Sequence, residues 1–434
     1  MNYAVPAALA AVLLAACSPE PMEPQAMRGA SPSGEETAAP ALRGAAAVDA
    51  APGSPRALHD RLFTLDTHVD IDAGYASEAL DPGGFTPAQV DLPKMRAGGL
   101  DAAFFIVYVG QGTISPMGYE EAAEIADDKY EAIMRMIRAY PERIALATTA
   151  DEVEAIRDSG RLVALIGMEN SWPLGEDLSN VAMWAQRGVR YMSITHFGNN
   201  QFGGSSNPNL AVGDPVEDPG LTELGRGLVA ELNDHGVMVD VSHVGKRTML
   251  EAIALSRAPV IASHSGARAV YDHPRNLDDE QLRAIAENGG VAQMVAFRGY
   301  VDAPDPDFLA AQQDLAESLG VATREARAAA DEATLRAYYE GLAELRARYP
   351  DVTVADFVDH IDHAVSVAGI DHVGIASDFD GGGGVLGWDD ATETPEVTAE
   401  LLRRGYSEEE IEKIWSGNVL RVMRAAEAAA GSQG

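Results

Sequence analysis

The chain has 434 residues, 46% of them apolar and 23% charged, which is enough to bury the core of two or three average domains or of one large α/β barrel. Its formal net charge of −35 repels polynucleotides and anionic headgroups, so we exclude nucleic-acid binding. Cys17 is the single cysteine, so the chain forms no internal disulfide, and any metal site must use histidine and carboxylate side chains.

The first sixteen residues predict a signal peptide. Residues 4–16 are almost wholly apolar, yet this segment is shorter than the roughly 20 residues that a membrane-spanning helix needs. It ends in Leu14, Ala, Ala and Cys17, which resembles a bacterial lipobox, although residues 1–3 lack the usual basic side chain. We predict cleavage before Cys17, lipidation of its thiol and a lipid-anchored position on the bacterial cell envelope, facing the periplasm. The alternative is an ordinary secretory signal with an incidental cysteine.

The segment that follows, residues 17–54, predicts a disordered tether. It is rich in Pro, Ala, Gly, Ser and Glu and has almost no large apolar residue after Met27. Such a segment buries too little surface to offset the entropy of its chain. We therefore expect it to act as a spacer, and we assign residues 55–434 to one folded domain.

The folded part alternates short β-prone runs with amphipathic helical patterns, which is typical of repeated βα units. Eight such runs are Leu62 to Asp70, Ala102 to Val109, Leu162 to Glu169, Tyr191 to Thr195, Met238 to Ser242, Val260 to Ser263, Val291 to Val295 and His372 to Ser377. Eight runs predict a (β/α)8 TIM-type barrel, with a helical insertion after the seventh run at about residues 305–349. A doubly wound open sheet is the rival fold, but no glycine-rich phosphate loop follows the first run.

Metal-binding side chains recur where the runs end, and the carboxyl ends of barrel strands are where active sites form. In chain order they are His68, Asp70, Glu169, His196, His243, His264 and Asp378. Imidazole and carboxylate ligands without a thiolate suit zinc, manganese or nickel, and zinc is the usual hydrolytic metal. None of the four lysines lies at a run end, so Glu169 is the natural bridge between two metals. Asp378 is placed to carry a proton to a leaving amine.

Seven short motifs occur together and in order: DTHVD, GMEN, ITHFGNN, DVSH, ASHS, HPRN and ASDFDG. This set resembles that of the renal (membrane) dipeptidase family, the peptidase branch of the metal-dependent amidohydrolase superfamily. The resemblance extends from Leu62 to about Ala425. It implies zinc-dependent hydrolysis of dipeptides by a hydroxide that bridges two metals, and it suggests a homodimer.

The resemblance also implies a role for each site residue. Two Zn²⁺ per chain are expected, one held by His68, Asp70 and Glu169 and the other by Glu169, His243 and His264. The expected roles of the remaining residues are oxyanion stabilisation and substrate binding for His196, a clamp on the substrate carboxylate for Arg275, and acid/base catalysis with substrate contact for Asp378. A guanidinium is also the preferred physical partner of a carboxylate.

Two other functions stay open on the sequence. A lactonase or cyclic-amide hydrolase could use the same barrel and metals, because a fold does not fix a substrate. Arg275 argues against it, since a neutral ring needs no carboxylate clamp. A non-catalytic solute-binding lipoprotein is the second alternative, and the complete ligand set together with Asp378 argues against that.

Overall fold

The computed structural model describes residues 53–323, 326, 330–349 and 351–431. The predicted signal peptide, Cys17 and all but the last two residues of the predicted tether lie outside these ranges. Over the described residues, no helix combines the length and apolar character that crossing a membrane requires.

The strands form one parallel sheet that curls into a nearly closed barrel. They are β1 (Leu65–Val69), β2 (Ala102–Tyr108), β3 (Ile144–Leu146), β4 (Leu162–Glu169), β5 (Val189–Ser193), β6 (Met238–Asp240), β7 (Ile261–Ser265), β8 (Val291–Val295) and β9 (Val373–Ala376). Eight of them follow the order β1-β2-β4-β5-β6-β7-β8-β9, and β3 pairs only with β4 outside this path. The predicted TIM-type barrel is confirmed.

The barrel closes where its first strand meets its last. The backbone N–H of Asp70 donates to the carbonyl oxygen of Phe379 at 2.9 Å, and that of Asp378 donates to the carbonyl oxygen of His68 at 3.0 Å. Both bonds join residues just at or beyond the carboxyl ends of β1 and β9. Closure therefore brings two predicted site segments side by side.

Helices cover the outside of the barrel. They are α1 (Pro55–His59), α2 (Leu92–Gly98), α3 (Pro116–Ala139), α4 (Ala150–Asp158), α5 (Ser179–Gln186), α6 (Glu223–Asp234), α7 (Lys246–Leu255), α8 (Asp279–Glu287), α9 (Arg298–Val301), α10 (Pro306–Ser318), α11 (Glu332–Arg346), α12 (Val354–Ala368), α13 (Thr394–Arg404), α14 (Glu408–Glu412) and α15 (Asn418–Gly431). Local sequence sets their starts: Ser115 caps α3 before a proline at its first position, and Asp278 and Gln281 form a capping box on α8.

The core explains why the strands read as continuous apolar runs. Every residue of β4 is buried, and so is every residue of β2 except Tyr108, because helices cover the outer face of the sheet while side chains fill the barrel. Inside, the rings of Phe104 and Tyr191 lie 5.0 Å apart between centroids. This packing holds the strands, and hence the residues at their ends, in fixed positions.

The predicted helical insertion is present as α10 and α11, which follow β8 and α9 in the chain. The two helices pack on each other around a small apolar cluster of their own that includes Ala316, Tyr338 and Leu342. This cluster is separate from the core of the barrel.

Candidate metal and active site

All seven side chains predicted at the strand ends meet at one end of the barrel. Each is almost fully buried, from 0% exposed for His68 to 7% for Asp70 and Asp378. Buried charged and polar groups are costly unless they are paired or hold a metal. The cluster is therefore a candidate functional site rather than a set of surface residues.

Unusual backbone conformations aim two of these side chains. His243 and Asp378 adopt φ values of 65° and 59°, in the left-handed region that side chains other than glycine rarely enter. Hydrogen bonds hold them there, from Ser206 N to the His243 carbonyl oxygen at 2.8 Å and from Gly383 N to that of Asp378 at 2.7 Å. Strain held in place by its surroundings is common at active sites.

A glycine gives the two carboxylates at the barrel closure room to approach. A Cβ atom on Gly381 would lie 2.2 Å from Oδ2 of Asp70 and 2.4 Å from Oδ1 of Asp378. Any larger residue would push both carboxylates aside. The glycine run after β9 is thus part of the site's geometry.

Glu169 lies at the centre of four imidazoles. Its Oε1 atom is 2.9 Å from Nε2 of His243, 3.2 Å from Nε2 of His264 and 3.8 Å from Nε2 of His196. Its Oε2 atom is 3.5 Å from Nε2 of His68. One carboxylate oxygen therefore faces three of the rings and the other faces the fourth, which is an arrangement suited to a bridging ligand.

The donor atoms of this cluster fit metal ions. Three groups have their ligand atoms within 4.8 Å of one another: His68, Glu169 and His264; Glu169, His196 and His243; His68, Asp70 and Asp378. Nε2 of His68 is buried without a hydrogen-bond partner, although it faces two carboxylates. The Nε2 atoms of His243 and His264 lie only 2.8 Å apart. These three groups combine the histidines differently from the two ligand sets that the resemblance implies. Which histidine binds which metal therefore stays a prediction.

Electrostatics favour the ligand forms of His196, His243 and Glu169. His68 differs: burial opposes its protonation, but the charges of Glu169 and Asp70 outweigh it and hold its pKa well above the ordinary value. Burial, with the nearby charge of Arg275, holds the pKa of His243 well below its ordinary value, and burial lowers the pKa of His196 to about 4. Neutral imidazole is the form that binds metal. Burial opposes ionisation of Glu169, but the surrounding histidines outweigh it and hold its pKa well below the usual range. Burial, reinforced by the charges of Asp70 and Glu169, raises the pKa of Asp378.

A second layer of residues, which the sequence did not reveal, orients two of the histidines. Nδ1 of His68 lies 2.9 Å from the hydroxyl of Tyr191. Nδ1 of His264 lies 2.8 Å from Oγ of Ser263, which donates to Asp240 at 2.7 Å. In both cases the Nδ1–H has an oxygen to bond, so Nε2 keeps its lone pair for a metal. These partners lie inside the barrel on β5, β6 and β7, where a polar residue has no distinctive spacing.

Arg275 lies beside this cluster but behind an aromatic ring. It is 2% exposed, and its Nη2 atom donates to the carbonyl oxygen of His264 at 2.9 Å. Its guanidinium carbon lies 5.2 Å from the ring centre of Tyr300, and its Nε–H is buried without a hydrogen-bond partner. A buried, positively charged side chain with an unused N–H donor is suited to binding an anion.

The strand-end cluster forms the floor of a cavity of about 310 Å³, which is near the lower end of sizes for small-molecule sites. Two aromatic residues, Tyr300 and Phe197, line one part of its wall. Ile71, Leu80 and Lys129 line another part. Lys129 was not among the predicted site residues.

Comparison with known proteins agrees with the fold. Residues 54–433 match the family model described as membrane dipeptidase (peptidase family M19). The chain is 32% identical over 349 residues to the dipeptidase tcpJ of Claviceps purpurea, which covers 79% of this chain and 71% of the relative.

Solved structures give the same result. The crystal structure of the probable dipeptidase PvdM from Pseudomonas aeruginosa is 32% identical, with a TM-score of 0.76 over 86% of this chain and 98% of the other. A metallopeptidase from Rhodobacter sphaeroides, liganded with a phosphinate mimic of the dipeptide L-Ala-D-Ala, is 25% identical, with a TM-score of 0.66 over 84% and 99%.

Proposed function

This chain belongs to the membrane dipeptidase family, peptidase family M19, and from that membership we propose that it hydrolyses the peptide bond of free dipeptides with two zinc ions bound. The single observation that carries the proposal is the position of Glu169, whose two carboxylate oxygens face four imidazoles at the mouth of the barrel. A cluster of that composition suits hydrolytic zinc.

His68, Asp70 and Glu169 would hold one zinc ion, and Glu169, His243 and His264 would hold the other. When bound, the pair would lower the pKa of a shared water and polarise the peptide carbonyl. The unpartnered Nε2 of His68 and the close approach of the two other ligand histidines support this assignment, because each needs a cation to complete its surroundings.

Three further residues would act on the substrate directly. His196, at the edge of the cluster, would donate a hydrogen bond to the carbonyl oxygen as negative charge develops there. The carboxyl group of Asp378 would take a proton from the attacking water and deliver it to the leaving nitrogen. Its raised pKa supports this role, because a carboxyl group that is easily protonated can also donate. Arg275 would hold the substrate's terminal carboxylate.

A panel of L,L and L,D dipeptides, assayed with the zinc-loaded enzyme, tests the substrate class. The Rhodobacter sphaeroides relative was solved with a mimic of L-Ala-D-Ala, and so the panel includes that dipeptide. A simple lactone and a cyclic amide belong in the same panel. Hydrolysis of these rings without hydrolysis of dipeptides would contradict the proposal.

Metal dependence is tested on the same preparation. Chelation should abolish dipeptide hydrolysis and zinc should restore it, with elemental analysis approaching two ions per chain. Glu169→Gln should lose both activity and zinc. His235→Ala is the matched control, because this histidine lies on the surface beside Glu231 and should keep both. Full activity in a verified metal-free preparation would end the proposed mechanism.

A further inference from the structure

A lysine occupies the buried face of helix α3. The apolar residues Ala122, Ala126, Ile133 and Met136 of this helix are fully buried. They recur at three- and four-residue spacing, which marks the face of a helix turned toward the core. Lys129 falls on the same stripe, three residues after Ala126 and four before Ile133. Lysine is rarely placed there without a partner for its charge.

The charge of Lys129 has no carboxylate partner. Its ammonium donates to the backbone carbonyl oxygen of Ile71, and over the described ranges no carboxylate lies within ion-pair distance of it. The other three lysines all form ion pairs, Lys94 with Asp390 at 3.2 Å, Lys246 with Asp278 at 2.6 Å and Lys413 with Asp371 at 3.1 Å. A lysine that lies on a buried stripe without a carboxylate partner is unexpected in a chain with 67 acidic residues.

This ammonium belongs to the cavity wall. Lys129 lines the cavity together with Asp70, Ile71 and Asp72 of the segment that follows β1, and among the described residues of the lining it is the only lysine or arginine. Asp72 accepts from the backbone of Gly74 at 2.6 Å, and Asp380 accepts from that of Gln89 at 2.8 Å. Lys129 is therefore the cation available to a ligand on this side of the cavity.

The position of Lys129 relative to Arg275 determines which part of a substrate contacts Lys129. Lys129 lies on the helix after β2, whereas Arg275 follows β7 and lies behind Tyr300, so the two cations lie on different sides of the barrel. If Arg275 holds the terminal carboxylate, the first residue of the dipeptide extends toward the wall that contains Lys129. Resting on the proposed dipeptidase function, we propose that Lys129 binds an acidic side chain on the first residue, so that the preferred substrates begin with Asp or Glu.

Paired substrates of equal shape test this preference. Wild-type kcat/KM should be about tenfold higher for Glu-Ala than for Gln-Ala, since a partly exposed charged pair has an effect of about this size. Lys129→Met should bring the ratio of the two values close to one. Lys129→Glu should lower the ratio of Glu-Ala to Gln-Ala below one and should make Lys-Ala the preferred substrate. Because each ratio is taken within one enzyme, a general loss of activity in a variant cancels.

Arg135→Met provides the matched control. Arg135 also lies on α3 and ties down the same loop, through bonds from Nη2 to the carbonyl oxygens of Ala73 at 2.7 Å and Tyr75 at 3.0 Å. It is not among the residues that line the cavity. This variant should lose thermal stability but keep the wild-type ratio. If Lys129 served only to hold the loop, the Lys129 and Arg135 variants would behave alike.

The outcomes separate this inference from the function on which it rests. A zinc-loaded enzyme that hydrolyses Ala-Ala but treats Glu-Ala and Gln-Ala alike overturns the role of Lys129 and leaves the dipeptidase proposal standing. A preference for Glu-Ala that survives in Lys129→Met overturns it as well. An enzyme that hydrolyses none of these dipeptides overturns both.

Discussion

The hydroxyl oxygen of Tyr191 lies 2.9 Å from Nδ1 of His68 and 2.9 Å from the carbonyl oxygen of Thr67. A hydroxyl has one hydrogen, and the carbonyl can only accept it. Nδ1 of His68 must then carry a hydrogen and donate it to Tyr191, which leaves Nε2 free to bind metal. The tautomer of His68 thus follows from a residue of β5, three positions from β1 in the strand order.

Removing that hydroxyl should weaken metal binding. Tyr191→Phe keeps the ring that fills the barrel but leaves Nδ1–H of His68 without an acceptor, so the affinity for zinc should fall by about 10- to 100-fold. Competition with a chromophoric chelator measures the change without reference to activity. Tyr406→Phe, which removes a hydroxyl bonded to Asp362 at 2.8 Å far from the cluster, should have no effect. Equal zinc affinities in all three proteins would show that Tyr191 does not orient the ligand.

The proposed clamp predicts non-additive losses. Pairing between Arg275 and a free carboxylate contributes about 2 to 4 kcal/mol, so a dipeptide amide should be hydrolysed about two orders of magnitude less efficiently than the free dipeptide. Arg275→Leu should reduce activity on free dipeptides by a similar factor and hardly change the low activity on amides. Additive losses, or wild-type cleavage of amides as fast as of free dipeptides, would show that Arg275 holds something else.

His59 predicts a loss of stability in acid that is independent of the metal site. It is buried between α2 and α13, with Nδ1 2.7 Å from Oγ1 of Thr398 and Nε2 2.9 Å from the carbonyl oxygen of Gly98. Burial lowers its pKa from 6.5 to about 4. Between those values the unfolded chain binds the proton and the folded chain does not, so stability falls as the pH falls from 6.5 to 4. The contribution lost at pH 5 is about 2 kcal/mol.

The variant His59→Gln isolates this contribution. Glutamine can donate to Gly98 and accept from Thr398 but does not titrate. The difference in unfolding free energy between pH 7 and pH 5, measured by urea denaturation, should therefore be about 2 kcal/mol smaller in the variant. Other acid-sensitive groups are common to both proteins and cancel. If the unfolding free energy changed equally between pH 7 and pH 5 in the wild type and the variant, His59 would not be neutral in the folded chain.

Anchoring through Cys17 is a prediction of the sequence alone. Expressed with its own leader in a Gram-negative host, the protein should fractionate with membranes, and mass spectrometry should find lipid on the mature amino terminus. Cys17→Ser should carry no lipid, because serine lacks the thiol that is modified. A soluble, unmodified mature chain from the native sequence would contradict the prediction. The homodimer suggested by the resemblance also stays a prediction.

The sequence predicted the strands of the barrel well because most are buried on both faces and read as uninterrupted apolar runs. The predicted run Leu162 to Glu169 coincides with β4, and Val291 to Val295 coincides with β8. The strand Ile144–Leu146 was missed. It has only three residues and pairs with β4 alone, so its apolar signal is too short to separate from the end of helix α3.

The candidate site was predictable where side chains follow a strand and unpredictable where they reach it from elsewhere. His68 and Glu169 stand at strand ends, and the barrel brings such ends together whatever the details of packing. Tyr191 approaches His68 across the barrel, in a space left by Gly167, where a Cβ atom would lie 2.3 Å from the Tyr191 ring. Lys129 comes from a helix, and its place on an apolar stripe was the signal that could have revealed it.

The contact between β1 and β9 also determines when folding of the barrel can be completed during synthesis. The backbone N–H of Ser377 donates to Oδ1 of Asp66, which lies 311 positions earlier in the chain. A growing polypeptide cannot make this bond until nearly all of it has been synthesised, and until then both sheet edges are open to pairing with other chains. Newly made molecules should depend on holding chaperones for most of their elongation, and truncation before Val373 should yield aggregates instead of a smaller working enzyme.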